Sequence, residues 1–344
     1  MTTQPLSALT MLLSRHTKRR EFITLLGGAT AWPLAVRAQQ GEPVRRVGVL
    51  MNSPADDAQG QGRFAAFLQG LQQLGWSEGR NVRIDVRWGA QGDSETNRQH
   101  AAELVALAPE VILASTAPPT AALQRATRTI PVVFAMVVDP VGTGIVASLS
   151  RPGGNITGFM QFEFSVAGKW LELLKQIAPG VTRAAILRDP SIPTGIGQFA
   201  VLQAMAPPLG IEVIPVNARD AGEIEHSIAA FAQSANGGLV VTGGQATVHR
   251  KLIAKRAAQH RLPAVYPYRF YVDEGGLVSY GPDLPGLFRQ AATYVDRILK
   301  GEKPGDLPVQ APVKYQLVLN LKAAKEIALE VPPSVLVRAD EVIE

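Results

Sequence analysis

Short apolar runs alternate along most of the chain with segments whose apolar residues recur every three or four positions. Residues 47–51 form a run of the first kind. The second kind is exemplified by Phe64, Phe67, Leu68, Leu71 and Leu74. A continuous apolar run is typical of a strand buried on both faces, and the longer period is typical of an amphipathic helix. Their alternation predicts βα units and parallel sheets, and therefore an α/β fold.

The alternation occurs in two series, which predicts two similar halves. Strands of the first series are predicted at 47–51, 82–88, 111–114 and 131–138. Strands of the second series are predicted at 184–188, 211–216, 238–241 and 264–266. A turn-rich stretch at 151–155 separates the two series. Extended segments near 156–160 and 277–280 are predicted to cross between the halves, and a third is expected near 312–318.

The N-terminal residues have the pattern of an export signal. A basic region ends at Arg19 and Arg20, an apolar stretch covers 22–36, and Ala38 completes a cleavage site before Gln39. Residues 1–38 are therefore predicted to be a cleavable signal peptide. The segment RREFI also resembles the twin-arginine export signal, although Lys18 stands where that signal usually has Ser or Thr. Since no later run reaches about 18 apolar residues, the remaining chain is expected to be soluble.

The composition and charge of the chain exclude several classes of function. The 344 residues include no cysteine, which excludes disulfides, thiolate metal sites and thiol nucleophiles. The chain has 34 Lys and Arg residues and 29 Asp and Glu residues. Five of the basic residues and one of the acidic residues lie in 1–38. The rest of the chain therefore has 29 basic and 28 acidic residues, a net charge of +1. The charge pattern is not that of a nucleic-acid-binding protein, so no nucleic acid partner is expected.

Motifs for catalysis are sparse, and the sequence is therefore not expected to be an enzyme or to hold a metal. It contains no phosphate-binding P-loop, no His pair at zinc-ligand spacing and no G-x-S-x-G nucleophile elbow. Gly60 and Gly62 fit a dinucleotide pattern with Asp85 as the ribose acid, but Gly60 lies nine residues after Met51 and so too far from the strand end. An exported Rossmann-type oxidoreductase is the enzyme alternative; otherwise no cofactor is expected.

Small polar and aromatic residues follow the predicted strands in both halves. Because ligands of open α/β sheets bind at the carboxyl ends of the strands, these residues are the candidate ligand-binding set. They are Asn52, Ser53, Ser115, Thr116 and Asp139 in the first series, and Asp189, Gly243, Tyr266 and Tyr280 beyond it. Hydroxyl groups suit a carboxylate, Asp suits an ammonium group, and Tyr offers a stacking face. Helix capping and turn formation are the alternative roles for the Ser, Thr and Asp residues.

Several long segments resemble a known family. They are the leader, ATRTIPVVFAMVVDPVGTGIVASLSRPGGNITGF at 126–159, RLPAVYPYRFYVDEGGLVSYGPDL at 261–284 and RILKGEKPGDLPVQAPVKYQLVLNLKAAKEIAL at 297–329. The combination of D-P-V with R-P-G-G-N-I-T-G is the most distinctive. The chain resembles the ABC-transporter substrate-binding proteins related to the tryptophan- and tyrosine-binding TrpX-type proteins. Two loops depart from the family pattern: Asp189 replaces an Asn before Pro190, and 242–245 replaces an acidic loop.

The resemblance implies a type I periplasmic-binding-protein fold, with two doubly wound parallel-sheet lobes joined by a hinge. Lobe 1 is then expected at 42–157 plus 277–311, and lobe 2 at 158–276 plus 312–344. It implies capture of a small solute, such as an amino acid or aromatic compound, and delivery to an ABC transporter permease. We expect a periplasmic monomer that touches the membrane only through that permease. A periplasmic ligand-sensing module is the remaining alternative.

Overall fold

The computed structural model describes residues 43–89, 93–190 and 192–344. The predicted signal peptide, its twin-arginine motif and its cleavage site lie outside these residues. Within the described ranges, no helix combines the length and the apolar character that crossing a membrane requires.

The first sheet contains five parallel strands in the spatial order β2-β1-β3-β4-β5. Its strands are β1 Arg45–Met51, β2 Val82–Trp88, β3 Val111–Ser115, β4 Val132–Val137 and β5 Ile156–Met160. The connecting helices are α1 Ala58–Gln73, α2 Ser94–Ala106 and α3 Ala117–Ala126. Strands β3, β4 and β5 are buried along their whole length, as expected for a parallel sheet covered on both faces.

The second sheet contains seven strands in the order β12-β11-β10-β9-β8-β6-β7. Its strands are β6 Arg183–Arg188, β7 Glu212–Asn217, β8 Gly237–Val241, β9 Ala264–Tyr266, β10 Val278–Pro282, β11 Tyr315–Asn320 and β12 Glu341–Ile343. The neighbouring pairs are parallel except for β10 and β11, which are antiparallel. The predicted α/β class with two largely parallel sheets is therefore confirmed.

The helices that follow β5 are distributed between the two halves. They are α4 Val166–Ile177, α5 Pro193–Leu209, α6 Ala221–Phe231, α7 Arg250–Gln259, α8 Arg269–Asp273, α9 Leu284–Leu299, α10 Leu321–Glu326 and α11 Pro333–Leu336. Helix α9 returns to the first half and packs along α1. The Trp76 indole N–H, which follows α1, donates to Asp296 Oδ1 of α9 at 2.9 Å.

The positions at which the chain changes sheets differ from the predicted boundaries. Residues 156–160 form β5 of the first sheet, and 278–282 form β10 of the second. The segments predicted as crossings are thus sheet strands, because β5 pairs with β4, and β10 pairs with both β9 and β11. The first half therefore extends to Met160 and resumes after Pro282, so residues 277–282 do not belong to it. The third crossing lies between Gln310, which bridges to Phe159, and Tyr315.

A fully buried indole lies where the first crossing enters the second half. Trp170 of α4 donates its indole N–H to the Tyr280 carbonyl of β10 at 2.7 Å. Its ring lies edge-on to Phe162, with centroids 5.9 Å apart. Phe162 comes two residues after β5, so the crossing is packed against the core of the second half rather than free in solvent.

Candidate functional site

Polar residues of the first half meet at the carboxyl edge of its sheet. Ser115 of β3 pairs with Ala135 of β4, and the Thr116 amide donates to the Ala135 carbonyl at 2.8 Å. At the end of β1, Met51 accepts a hydrogen bond from the Gly89 amide at 2.9 Å. Parallel strands end at one common edge, so Asn52, Ser53, Ser115, Thr116 and Asp139 all follow or end strands there. The structure brings together this part of the predicted set.

Three of these side chains hold buried polar atoms that the protein itself does not satisfy. They are Asn52 Oδ1, Ser53 Oγ and Thr116 Oγ1, each without a hydrogen-bond partner in the described part of the chain. A buried polar group left without a partner costs about 1–3 kcal/mol. Their location at one sheet edge means that a polar ligand could satisfy all three together.

The backbone of Thr116 is strained. Its φ of 75° and ψ of 173° lie in a region that is occupied almost only by glycine. Thr116 precedes α3 but its hydroxyl does not cap that helix, and Pro118 and Pro119 remove two of the amides that a cap would serve. The strain thus has no local structural benefit, which is typical of residues held in place for binding or catalysis.

Asp139 has a local role in the turn that follows β4. Its carboxylate Oδ1 accepts from the Gly142 amide at 2.9 Å, and its carbonyl accepts from the Thr143 hydroxyl at 2.8 Å. Its φ of 49° is left-handed, a conformation that Asp tolerates better than most residues. The turn-forming role given above as an alternative therefore applies to Asp139, and contact of its side chain with a ligand stays a prediction.

In the second half, Asp189 and Gly243 lie close together at the carboxyl edge. Asp189 follows β6 and is buried. The Thr242 amide and hydroxyl both donate to the Leu187 carbonyl at 2.9 Å, which holds the loop after β8 against the end of β6. A methyl group on Gly244 would lie 2.7 Å from Asp189 Cβ, and the Gly244 φ of 90° is left-handed. Glycine is required there by both backbone conformation and space.

The two predicted tyrosines each stack on another tyrosine. Tyr266 is buried and stacks on Tyr271 at 4.8 Å between ring centroids, and burial raises its pKa. Tyr280 stacks on Tyr315 across the β10–β11 pair at 5.5 Å. Their contact with a ligand stays a prediction.

The tyrosine beside Gly243 is Tyr268, which the candidate set does not include. A methyl group on Gly243 would lie 3.1 Å from the Tyr268 hydroxyl. That hydroxyl accepts from Gln161 Nε2 of the first crossing at 2.9 Å, and burial raises the Tyr268 pKa. The sequence signal that could have identified Tyr268 is its position along the chain. Residues inside β9 pack into the sheet, whereas Tyr268 comes two residues after the end of that strand.

Charged side chains connect the carboxyl edges of the two halves. Asp57 precedes α1 in the first half, and its Oδ1 lies 3.7 Å from Nη2 of Arg250 in α7. Its Oδ2 lies 3.7 Å from Nη2 of Arg63 in α1. Burial lowers the Arg63 pKa, while the negative charge of Asp57 opposes that shift. Sequence reasoning missed Arg63 and Arg250, because a cation on a helix normally faces solvent.

The dinucleotide pattern does not form a dinucleotide site. Asp85 lies opposite Gly48 in the middle of β2 instead of at its carboxyl end, and it is 2.6 Å from Arg46 Nε. The hydrogen bond from Arg46 is the main cause of a lowered Asp85 pKa. Gly60 lies inside α1 and packs on Ser53, and Gly62 has open space around it. Among the residues described, no cluster of three or more His, Asp or Glu side chains could hold a metal ion.

Two α/β halves that meet at their carboxyl edges, with unsatisfied polar groups at the first edge, fit a solute-binding protein. The profile of the family described as "ABC transporter substrate binding protein" matches residues 46–343. The chain belongs to this family, as the resemblance predicted. It is the solute-binding component of an ABC transporter system and not an enzyme, so the oxidoreductase alternative is wrong.

The chain is similar to a tyrosine-binding protein and to solved structures of other bacterial proteins. A tyrosine-binding protein of Clostridioides difficile is 26% identical over 264 residues, which are 77% of this chain and 76% of that protein. An ABC domain from Streptococcus pneumoniae in complex with L-Trp has a TM-score of 0.78 and 26% identity, over 87% of this chain and 99% of the other. The ligand-free, open structure of a Clostridium difficile substrate-binding protein with adhesive properties has a TM-score of 0.69 and 25% identity, with the same coverage.

Two glycines of α1 provide a test of the packing around Ser53. A methyl group at Gly60 would lie 2.2 Å from Ser53 Oγ, whereas nothing lies within 4 Å of one at Gly62. We expect Gly62→Ala to raise the free energy of unfolding by about 0.5–1 kcal/mol, because Ala is the better helix former. Gly60→Ala should lower it by about 1–3 kcal/mol through overpacking. Urea unfolding of both variants measures this; equal stabilities would contradict the close packing of Ser53.

Proposed function

We propose that the protein binds an aromatic amino acid or a closely similar aromatic compound in the cleft between its two carboxyl edges, and delivers it to an ABC permease for import. The observation that carries this proposal is the set of three buried, unsatisfied polar atoms at the first edge, on Asn52, Ser53 and Thr116. The ligands named for similar proteins, tyrosine and L-Trp, support the ligand class.

The contacts across the cleft support a closed, ligand-ready arrangement. Asp57 and Arg250 approach to 3.7 Å although they belong to different halves. The TM-score is 0.78 against the similar protein in complex with L-Trp and 0.69 against the open, ligand-free one, at almost equal identity. Closure by rotation about the crossings is the general behaviour of two-domain binding proteins.

The polar groups divide between the two ends of an amino acid. Hydroxyl groups of Ser53 and Thr116 can donate to a carboxylate. Asp189 is the buried acid at the opposite edge, and it suits the ammonium group. The assignment to Asp189 follows from its position at the edge opposite Ser53 and Thr116, whereas the Asp139 carboxylate accepts a hydrogen bond within the turn of the first half.

The energy available from such a site fits a typical transport protein. A dissociation constant of 1 μM corresponds to about −8.2 kcal/mol. Burial of one aromatic ring supplies roughly 2–3 kcal/mol. Each hydrogen bond to a charged ligand group adds about 1.5–3 kcal/mol. Two or three such bonds with one ring therefore suffice after the entropic cost of binding, and no covalent step is needed.

Ligand binding is the direct test of this function. The protein is purified, unfolded and refolded to remove endogenous ligand, and its melting temperature is measured with amino acids, aromatic acids, nucleosides, sugars and nicotinamide cofactors. At a hundredfold excess over the dissociation constant, a ligand of the native state stabilises it by about 2.7 kcal/mol. We expect a shift with L-Trp or L-Tyr. A shift with sugars alone would contradict the proposed ligand, and light scattering on the same samples should give the mass of one chain.

Thr116 should show a trade-off between stability and binding. Thr116→Gly relieves about 1–3 kcal/mol of backbone strain but removes the hydroxyl, so we expect a higher melting temperature and roughly tenfold weaker binding. Thr116→Ser keeps the hydroxyl and should retain affinity. Exposed Thr129→Ser is the control away from the cleft. Calorimetric titration and thermal unfolding measure both effects, and unchanged affinity in Thr116→Gly would exclude a ligand contact.

We also propose that residues 1–38 direct the protein to the periplasm and are then removed. The support is the basic region with Arg19 and Arg20, the apolar stretch and the small residues Val36 and Ala38 at the cleavage site. Sequencing the N-terminus of the protein from a periplasmic extract should find Gln39. Replacing both arginines by lysine should block export if the twin-arginine route is used; normal export of that variant would indicate the general secretory route.

A further inference from the structure

Arg63 is a buried cation beside the contact between the two halves. It lies in the second turn of α1, near the start of that helix, where Asp57 Oδ2 accepts from the Gly60 amide at 2.8 Å and lies 3.7 Å from Arg63 Nη2. From the other half, Nη2 of Arg250 lies 3.7 Å from Oδ1 of the same Asp57. Arg63 therefore lies next to the carboxylate at which the two halves meet.

The Arg63 guanidinium is buried without adequate partners. Its side chain is 13% exposed, and Nε has no hydrogen-bond partner in the described chain. The distance of 3.7 Å to Asp57 is too long for a hydrogen bond. A buried cation without hydrogen bonds is costly unless another group supplies them.

Three arginines of the described chain are more exposed than Arg63 and yet better paired; only Arg250, which shares Asp57, has equally long approaches. Arg46 is 28% exposed and 2.6 Å from Asp85; Arg87 is 32% exposed and 2.7 Å from Glu103. Arg256 is 32% exposed and 2.7 Å from Glu225. Arg63 is less exposed than these three and has the longest approach to a carboxylate. Ordinary surface pairing therefore does not explain it.

The carboxylates near Arg63 are shared with other cations. Asp57 lies between Arg63 and Arg250, with 3.7 Å to each. Glu274 is likewise shared, at 3.7 Å from Arg250 Nε and 3.6 Å from Nζ of the exposed Lys251. Asp57 therefore does not serve Arg63 alone, and a ligand carboxylate could supply the hydrogen bonds that the Arg63 guanidinium lacks.

We infer that Arg63 binds the carboxylate of the transported solute and so restricts the site to solutes that carry one. Its guanidinium offers Nε–H and Nη–H in the parallel arrangement that fits the two oxygens of a carboxylate. The inference rests on the proposed function, because it assigns a recognition role within the same cleft. It adds that the acid group, rather than the aromatic ring alone, decides which solutes are accepted.

Paired ligands and variants test this inference. Calorimetric titration compares L-Trp with tryptamine, which lacks the carboxylate, and with indole-3-acetate, which lacks the ammonium group. The wild type should prefer L-Trp over tryptamine by about a hundredfold, the size of two charge-assisted bonds. Arg63→Gln should lose about a hundredfold for L-Trp and nothing for tryptamine. Arg63→Lys should fall between, because it keeps the charge without the parallel donors.

Controls separate the outcomes. Arg83→Gln removes a 64% exposed arginine of the same half and should bind L-Trp normally, and circular dichroism of every variant confirms folding. Two results would overturn the role of Arg63 but leave the proposed function intact. One is normal L-Trp binding by Arg63→Gln, and the other is equal binding of L-Trp and tryptamine by the wild type. If the wild type binds indole-3-acetate but not L-Trp, and Arg63→Gln binds neither, the amino-acid ligand is wrong and the carboxylate-binding role of Arg63 is supported. Binding of none of the carboxylates overturns both.

Discussion

Burial of the central parallel strands on both faces is the constraint on which the site depends, because it leaves the strand ends for function. In the first sheet, β3, β4 and β5 are buried along their whole length. A parallel sheet must be covered in this way, since its connections return over its faces. The amino-terminal edge receives the returning chain, and the carboxyl edge carries the loops that can vary. Two such sheets with facing carboxyl edges make a cleft whose walls are rigid strands and whose lining is short loops.

Hydrogen bonding distinguishes polar residues that stabilise the fold from polar residues that are available to a ligand. Side chains of Asp57, Asp93, Asp220, Asp283 and Asn320 cap helices and so perform structural work. Thr116 precedes a helix as these residues do, yet its hydroxyl caps nothing and its backbone is strained. Selection for stability alone would favour glycine at that position. A threonine there is best explained by its hydroxyl.

Sequence reasoning predicted the two βα series and most strand positions, because buried parallel strands are continuous apolar runs between amphipathic helices. It failed where the placement of a segment depends on which strand it pairs with in the folded protein. The apolar segment at 277–280 fits a crossing or a strand equally well, and only its pairing with β9 and β11 places it in the second sheet. Tyr266 and Tyr268 also differ through context alone: one lies in β9 and the other follows its end. Arg63 was missed because its burial depends on a second half that is distant in sequence.

The Arg63 cation also explains how ligand charge can drive closure. Closure of the two halves without a ligand buries the Arg63 guanidinium with its nearest carboxylate oxygen, Asp57 Oδ2, at 3.7 Å, which disfavours the closed state. A carboxylate supplies both the charge and the hydrogen bonds, so it binds the closed state better than the open one. Reversing a population from 1:99 to 99:1 requires about 5.5 kcal/mol of differential affinity. Two bonds from a guanidinium, at about 1.5–3 kcal/mol each, account for much of that amount. A solute without the acid group would leave the guanidinium without these hydrogen bonds and the protein open, so the residue that recognises the ligand also controls the conformation that a permease meets.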